Sequence, residues 1–78
     1  MITKDNTIFV DKFEYQNISQ LLNKILKNLE TFYKSNGYSP KNLKMTVDMY
    51  YEIREYNPNL IKFKKGNGAY ILGMKVVF

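Results

Sequence analysis

The stretch NISQLLNKILKNLETFYKSNG, Asn17 to Gly37, decides the fold, because its apolar residues return with the helical period. Ile18, Leu21, Leu22, Ile25, Leu26, Leu29, Phe32 and Tyr33 occupy one stripe at about 100° per residue, while Lys24, Lys27, Thr31 and Lys34 face away. Both ends carry stop signals. Asn17 is an N-cap residue, with Gln20 three positions on as its capping-box partner. Gly37 supplies a left-handed C′ position, Tyr38 is placed to fold back on Tyr33, and Pro40 blocks continuation. The spacing predicts a helix over 17–36.

Before this helix, Thr7 to Tyr15 is rich in β-branched and aromatic residues and reads as a strand. After it, residues 36–40 (Asn-Gly-Tyr-Ser-Pro) break the chain, and Asn42 to Met45 reads as a short inner strand. Thr46 caps a second helix of about ten residues, with Asp48 in its first turn and Met49, Ile53 and Tyr56 as its inner stripe. Asn57-Pro58 ends it.

The segment from Leu60 to Lys65 alternates, with Ile61 and Phe63 inward and Lys62 and Lys64 outward, and Gly66-Asn67-Gly68 makes a tight connection. Ala69 to Phe78 returns as one nearly continuous apolar strand, in which Gly73 marks a bulge or a close backbone approach. The whole reads as a single α+β domain over 1–78, β-α-β-α-β-β, with residues 1–6 flexible. The long helix is expected to cross a small mixed sheet, burying Leu22, Ile25, Leu29 and Phe32 against Ile61, Phe63, Leu72 and Val76.

A chain of 78 residues makes one small core and leaves a thin stability margin. It has no cysteine, so no disulfide or thiolate site supports that core. No apolar run approaches the roughly 20 residues of a membrane span, and the N-terminus has no continuous apolar h-region of a signal peptide. The expectation is a soluble protein without a membrane partner.

The net charge is +5, carried by eleven lysines and a single arginine. A basic balance favours a polyanionic partner; the near-absence of arginine argues against bidentate phosphate and guanine contacts. The lysines are scattered along the chain, which favours an ordinary solvated surface over a nucleic-acid footprint.

Histidine and cysteine are both absent, which removes the commonest general base, the thiol nucleophile and nearly all zinc chemistry. Asp48, Glu52 and Glu55 lie at i, i+4 and i+7, a spacing compatible with a hard cation but equally with a solvated helix face, the favoured reading. Lys65-Gly66-Asn67-Gly68 lacks the strand-loop-helix context of a phosphate loop and reads as a hairpin turn. No catalytic residue, cofactor or metal is assigned, and the chain is not read as an enzyme.

The seven tyrosines are the least ordinary feature. Tyr50, Tyr51, Tyr56 and Tyr70 offer either contact area for a partner or stacking surface for bases beside Lys62 and Lys64; the plainer alternative is that Tyr33, Tyr50 and Tyr70 border the core.

The second half has a family cadence. Met45, Tyr50, Ile53, Leu72, Gly73, Val76 and Val77 fall in an arrangement that resembles the spine-helix and peripheral-domain stretch of tailed-phage major capsid proteins, over roughly residues 18–78. The departures are Lys75, where that family carries proline before its Val-Val pair, and the axial domain, extended loop and N-terminal arm of a full capsid subunit, which these 78 residues do not include. The resemblance implies a phage- or mobile-element-type protein with a capsid-like α/β core, working in the host cytoplasm or the virion.

The functional expectation is therefore contact with a protein, by self-association or with a larger partner. The candidate interface is Tyr50, Tyr51, Tyr56, Lys75, Val77 and Phe78, with the terminal strand as an exposed sheet edge because it runs apolar to Phe78. The alternatives are inhibition of a host defence or replication protein, and a nucleic-acid-binding module with Lys62, Lys64 and Lys65 as candidate anion contacts.

Overall fold

The structure, a computed structural model, describes residues 6–78. Five strands and two helices follow in the order β1 (Thr7–Phe9), α1 (Ile18–Asn36), β2 (Asn42–Lys44), α2 (Val47–Tyr56), β3 (Ile61–Lys64), β4 (Gly68–Ile71) and β5 (Met74–Val77). They form one α+β unit, a mixed sheet of order β1-β2-β5-β4-β3 with both helices packed into the same core. The expected flexibility of residues 1–6 lies outside the described residues for 1–5. Asn6 itself is tied down, its carbonyl accepting from the Lys41 and Asn42 backbone N–H groups at 2.9 and 3.1 Å.

The long helix begins and ends where its caps dictate. The Asn17 side chain accepts from the Gln20 N–H at 2.9 Å, while the Gln20 side chain reaches one residue further back than a capping box requires, to the Gln16 N–H. Gly37 sits at φ +78° and donates its N–H to the Tyr33 carbonyl, satisfying one of the last free carbonyls of the helix. Tyr38 folds back on Phe32 rather than Tyr33, edge to face with ring centres 5.6 Å apart. Thr46 caps α2 by accepting from the Met49 N–H at 3.2 Å.

The first strand is shorter than its composition suggests. Asp11 accepts from the Phe13 N–H and starts a 3-10 turn over Lys12–Glu14, so pairing stops at Phe9 and Phe13 is left 84% exposed. The apolar run from Ala69 to Phe78 is two strands instead of one. Ile71 pairs with Met74 across a two-residue loop, Leu72 at φ +52° and Gly73 at φ +83°. Two positive φ values make this a type I′ hairpin turn, the kind whose twist matches its flanking strands. Gly73 is thus a turn residue, and the order becomes β-α-β-α-β-β-β.

That extra strand moves the terminal one inward. β5 pairs parallel with β2 on one side and antiparallel with β4 on the other, so Lys75 and Val77 lie in the middle of the sheet and offer no free edge. The edges are β1 and β3.

The core consists of Leu21, Ile25 and Phe32 from α1, Met49 and Ile53 from α2, and Ile8, Leu43, Ile61, Ile71, Met74 and Val76 from the sheet, joined by Val10 and Met45. Leu22 and Leu29 are half-buried at its margin. Phe63 and Leu72, expected inside, are exposed. Phe63 shares the inward parity of Ile61 but lies on the edge strand, and Leu72 is spent in the turn. Tyr56 is also exposed, at the last position of α2.

Candidate functional site

Both helices cover one face of the sheet, and no described element packs on the other across β2, β5, β4 and β3. Strand alternation decides what that open face presents. Opposite the core residues Leu43, Ile61, Ile71, Met74 and Val76 stand Asn42 and Lys44 from β2, Lys75 and Val77 from β5, Tyr70 from β4, and Lys62 and Lys64 from β3. All four lysines are exposed.

Register aligns them into rows. Asn42 pairs with Lys75, Lys75 with Tyr70, and Tyr70 with Lys62, so one line across four strands reads Asn-Lys-Tyr-Lys. A second line runs from Phe9 through Lys44 to Val77. Lys64 leans over the Tyr70 ring, its Nζ 4.3 Å from the ring centre.

The charge of the chain divides by layer. Residues 37–46 and 57–78, which hold β2 to β5 and their turns, contain six lysines and no acid. The segments 11–36 and 47–56, which hold both helices, contain six acids against five bases. The net positive charge is therefore the charge of the sheet. The ion pairs among the described residues, Lys24–Glu14 at 3.7 Å and Lys34–Glu30 at 3.0 Å, belong to the helical side. Among the described residues, none of the sheet lysines forms an ion pair with a carboxylate.

The sequence-predicted sites separate onto different surfaces. Tyr50 meets Tyr51 and Phe78 edge to face, at 5.9 and 5.7 Å between ring centres. Lys75 and Val77 lie apart from these tyrosines, on the open sheet face, where Lys62 and Lys64 join them. Lys65 sits in the β3–β4 turn. In that turn the Asn67 N–H donates to the Lys64 carbonyl, which commits one of the amides an anion cradle would need.

Asp48, Glu52 and Glu55 line a groove of about 680 Å³ beside Ile18, Tyr51 and Tyr56. Among the described residues no group of three potential ligands is arranged to hold a metal ion. Two of these acids act on Tyr15, whose hydroxyl is pushed above its ordinary value by burial first, then by Glu52 and Asp48. No helix among the described residues is long and apolar enough to cross a membrane.

Tyr70 beside Lys62 and Lys64 is legible in the sequence as a stacking surface; that Asn42, Lys44 and Lys75 share its face is not. The available signal was parity. In Ile61-Lys62-Phe63-Lys64, Tyr70-Ile71 and Met74-Lys75-Val76, every lysine and the tyrosine fall on the position opposite a core residue.

Comparison of the chain with protein-family models, with curated proteins and with solved structures gave no match.

Proposed function

We propose that this domain is a non-enzymatic binding module whose open sheet face holds the phosphate backbone of a nucleic acid. The observation that carries the reading is the charge layer: six lysines and no acid in β2 to β5 and their turns, with four of those lysines on one exposed face around Tyr70. Side-by-side lysines without counter-charges repel one another within a Debye length of about 8–10 Å, and a polyanion relieves that repulsion while releasing its own counterions. Lysine rather than arginine implies point-charge contacts to phosphate with little base discrimination.

The test is binding of a labelled oligonucleotide to the wild type and to the Lys62→Glu/Lys75→Glu variant. Both positions are exposed, so the fold should survive, which circular dichroism checks. The reading expects the variant to lose binding.

A second reading, contact with a protein, keeps support from a different observation. Phe63 is 73% exposed on the edge strand, inside the parity of the core face, where a partner would complete the cover that the helices leave off. Self-association of a capsid-like module and inhibition of a host protein both belong to this reading. Its test is the solution mass of the protein with Phe63 intact and with Phe63→Ser: a defined oligomer lost on substitution supports it.

A further inference from the structure

We infer that the apolar groove at the ends of β1, β2 and β5 receives an unpaired base of the bound strand, which makes the domain selective for single-stranded nucleic acid. This rests on the nucleic-acid reading above and goes further by naming the form of the ligand.

The groove encloses about 380 Å³ and is lined by Phe9, Lys44, Val47 and Phe78 over a floor of Val10 and Met45. Its mouth joins the basic face through two of these residues. Phe9 and Lys44 are register partners, and Lys44 in turn pairs with Val77, so the row that opens onto the lysine surface ends in the groove. Lys44 is the one ionisable side chain among the described residues of the lining.

Two large apolar side chains remain uncovered there, Phe78 at 64% and Val47 at 48% exposure. The Phe78 ring stands edge-on to Tyr50, 5.7 Å between centres and 88° between planes, which holds its orientation. The Thr46 hydroxyl, also at the groove, is committed to capping α2.

An apolar slot with one ammonium at its entrance and further ammonium groups along the adjoining face matches a repeating unit with a flat apolar part and an anionic link. A nucleotide in a strand has that form. Charge complementarity selects the backbone, and the slot selects the base. Bases in a duplex are stacked and paired, and extracting one costs a few kcal/mol, whereas an unpaired base enters without that cost. Stacking on an aromatic ring is tolerant of base identity, so the selectivity is for strand form rather than sequence.

The chain contains no tryptophan, so Phe78→Trp installs a single indole as reporter. The probes are a labelled oligothymidylate, an abasic strand with the same number of phosphates, a duplex of equal length, and polyglutamate, each titrated at low salt. The oligothymidylate is expected to bind about tenfold tighter than the abasic strand, a ratio within the usual value of one stacked base. It is expected to outcompete the duplex and to quench the indole, which the abasic strand leaves unchanged. Phe78→Ala should bring oligothymidylate down to the abasic level, with circular dichroism verifying the fold.

Equal binding of oligothymidylate and abasic strand, or preference for the duplex, overturns the groove inference and leaves the phosphate-binding reading standing. Binding of polyglutamate but not of any nucleic acid overturns both in favour of an acidic protein partner. No binding to any probe overturns both.

Discussion

The ammonium of Lys64 sits 4.3 Å from the centre of the Tyr70 ring, on the face of the sheet that no described element covers. An exposed cation–π contact of this kind is worth about 0.5–1 kcal/mol, enough to orient the ring and little enough to exchange for a phosphate. Tyr70 is flanked by Lys62 and Lys75, and on the proposed function its ring is a stacking surface. Tyr70→Ala is expected to weaken single-strand binding by about 1–3 kcal/mol, and Tyr70→Phe to keep most of it, because the ring and not the hydroxyl makes the contact. Titration of both variants at one salt concentration checks this.

Stability should separate the true core from its apparent extension. Ile25 is 1% exposed and Phe63 is 73% exposed. Ile25→Ala should cost about 2–5 kcal/mol, a large share of what a domain this size has, whereas Phe63→Ser should stay within about 0.5 kcal/mol in the monomer. Denaturant melts of the two variants give the comparison directly.

The β4–β5 turn holds Leu72 at φ +52°, a conformation that costs a non-glycine residue on the order of 1 kcal/mol or more. Leu72 is also 47% exposed, so little burial is lost on replacing it. Leu72→Asn, the residue type preferred at that position of a type I′ turn, should raise the melting temperature. Gly73→Ala, at φ +83°, should lower it, even though no atom stands within 4 Å of the added Cβ.

Tyr15 makes a pH-dependent contribution to stability on the alkaline side. Its hydroxyl titrates above the ordinary value, through burial first and the Glu52 and Asp48 carboxylates next, so the folded state holds the proton more tightly than the unfolded chain. The contribution is fully present below about pH 10, the unfolded value, and is lost as pH rises through the higher folded value. Melting temperatures of wild type and Tyr15→Phe should run parallel at neutral pH. Above about pH 10 the wild type should fall more steeply.

The helices could be read from the sequence because their determinants are local. The stripe from Ile18 to Tyr33, the Asn17 and Thr46 caps and Gly37 all act within one or two turns, and the structure has the helix bounds and caps where the spacing puts them. The stripe is wider than the buried face, which holds Leu21, Ile25 and Phe32 while Leu26 and Tyr33 at its flanks are exposed. The sheet was harder because its decisive interactions are not local. Leu72-Gly73 lacks the Asn or Asp that usually announces a type I′ turn, and it lies inside an apolar run, so two strands read as one. Once β4 and β5 are distinct, β5 can enter between β2 and β4, and the expected free edge disappears.

The candidate site was hidden for the same reason. Lys44, Lys62 and Lys75 are scattered in sequence and become neighbours only through parallel pairing of β2 with β5 and antiparallel pairing of β5 with β4 and β4 with β3. Their parity was visible in the alternation of each short segment. The strand order that gathers them was not, because it depends on which strands meet across 30 or more residues.

The central claim is that the sheet lysines hold phosphates, and the salt dependence of binding tests it most directly. Affinity for a labelled single-stranded oligonucleotide, measured by fluorescence anisotropy across a salt series, should give log K falling linearly with log salt. For three or four neutralised phosphates the slope should be about −2 to −3, and Lys62→Glu/Lys75→Glu should abolish binding at the lowest salt. Absence of binding by the wild type at that salt, or a slope the folded double variant leaves unchanged, would contradict the account.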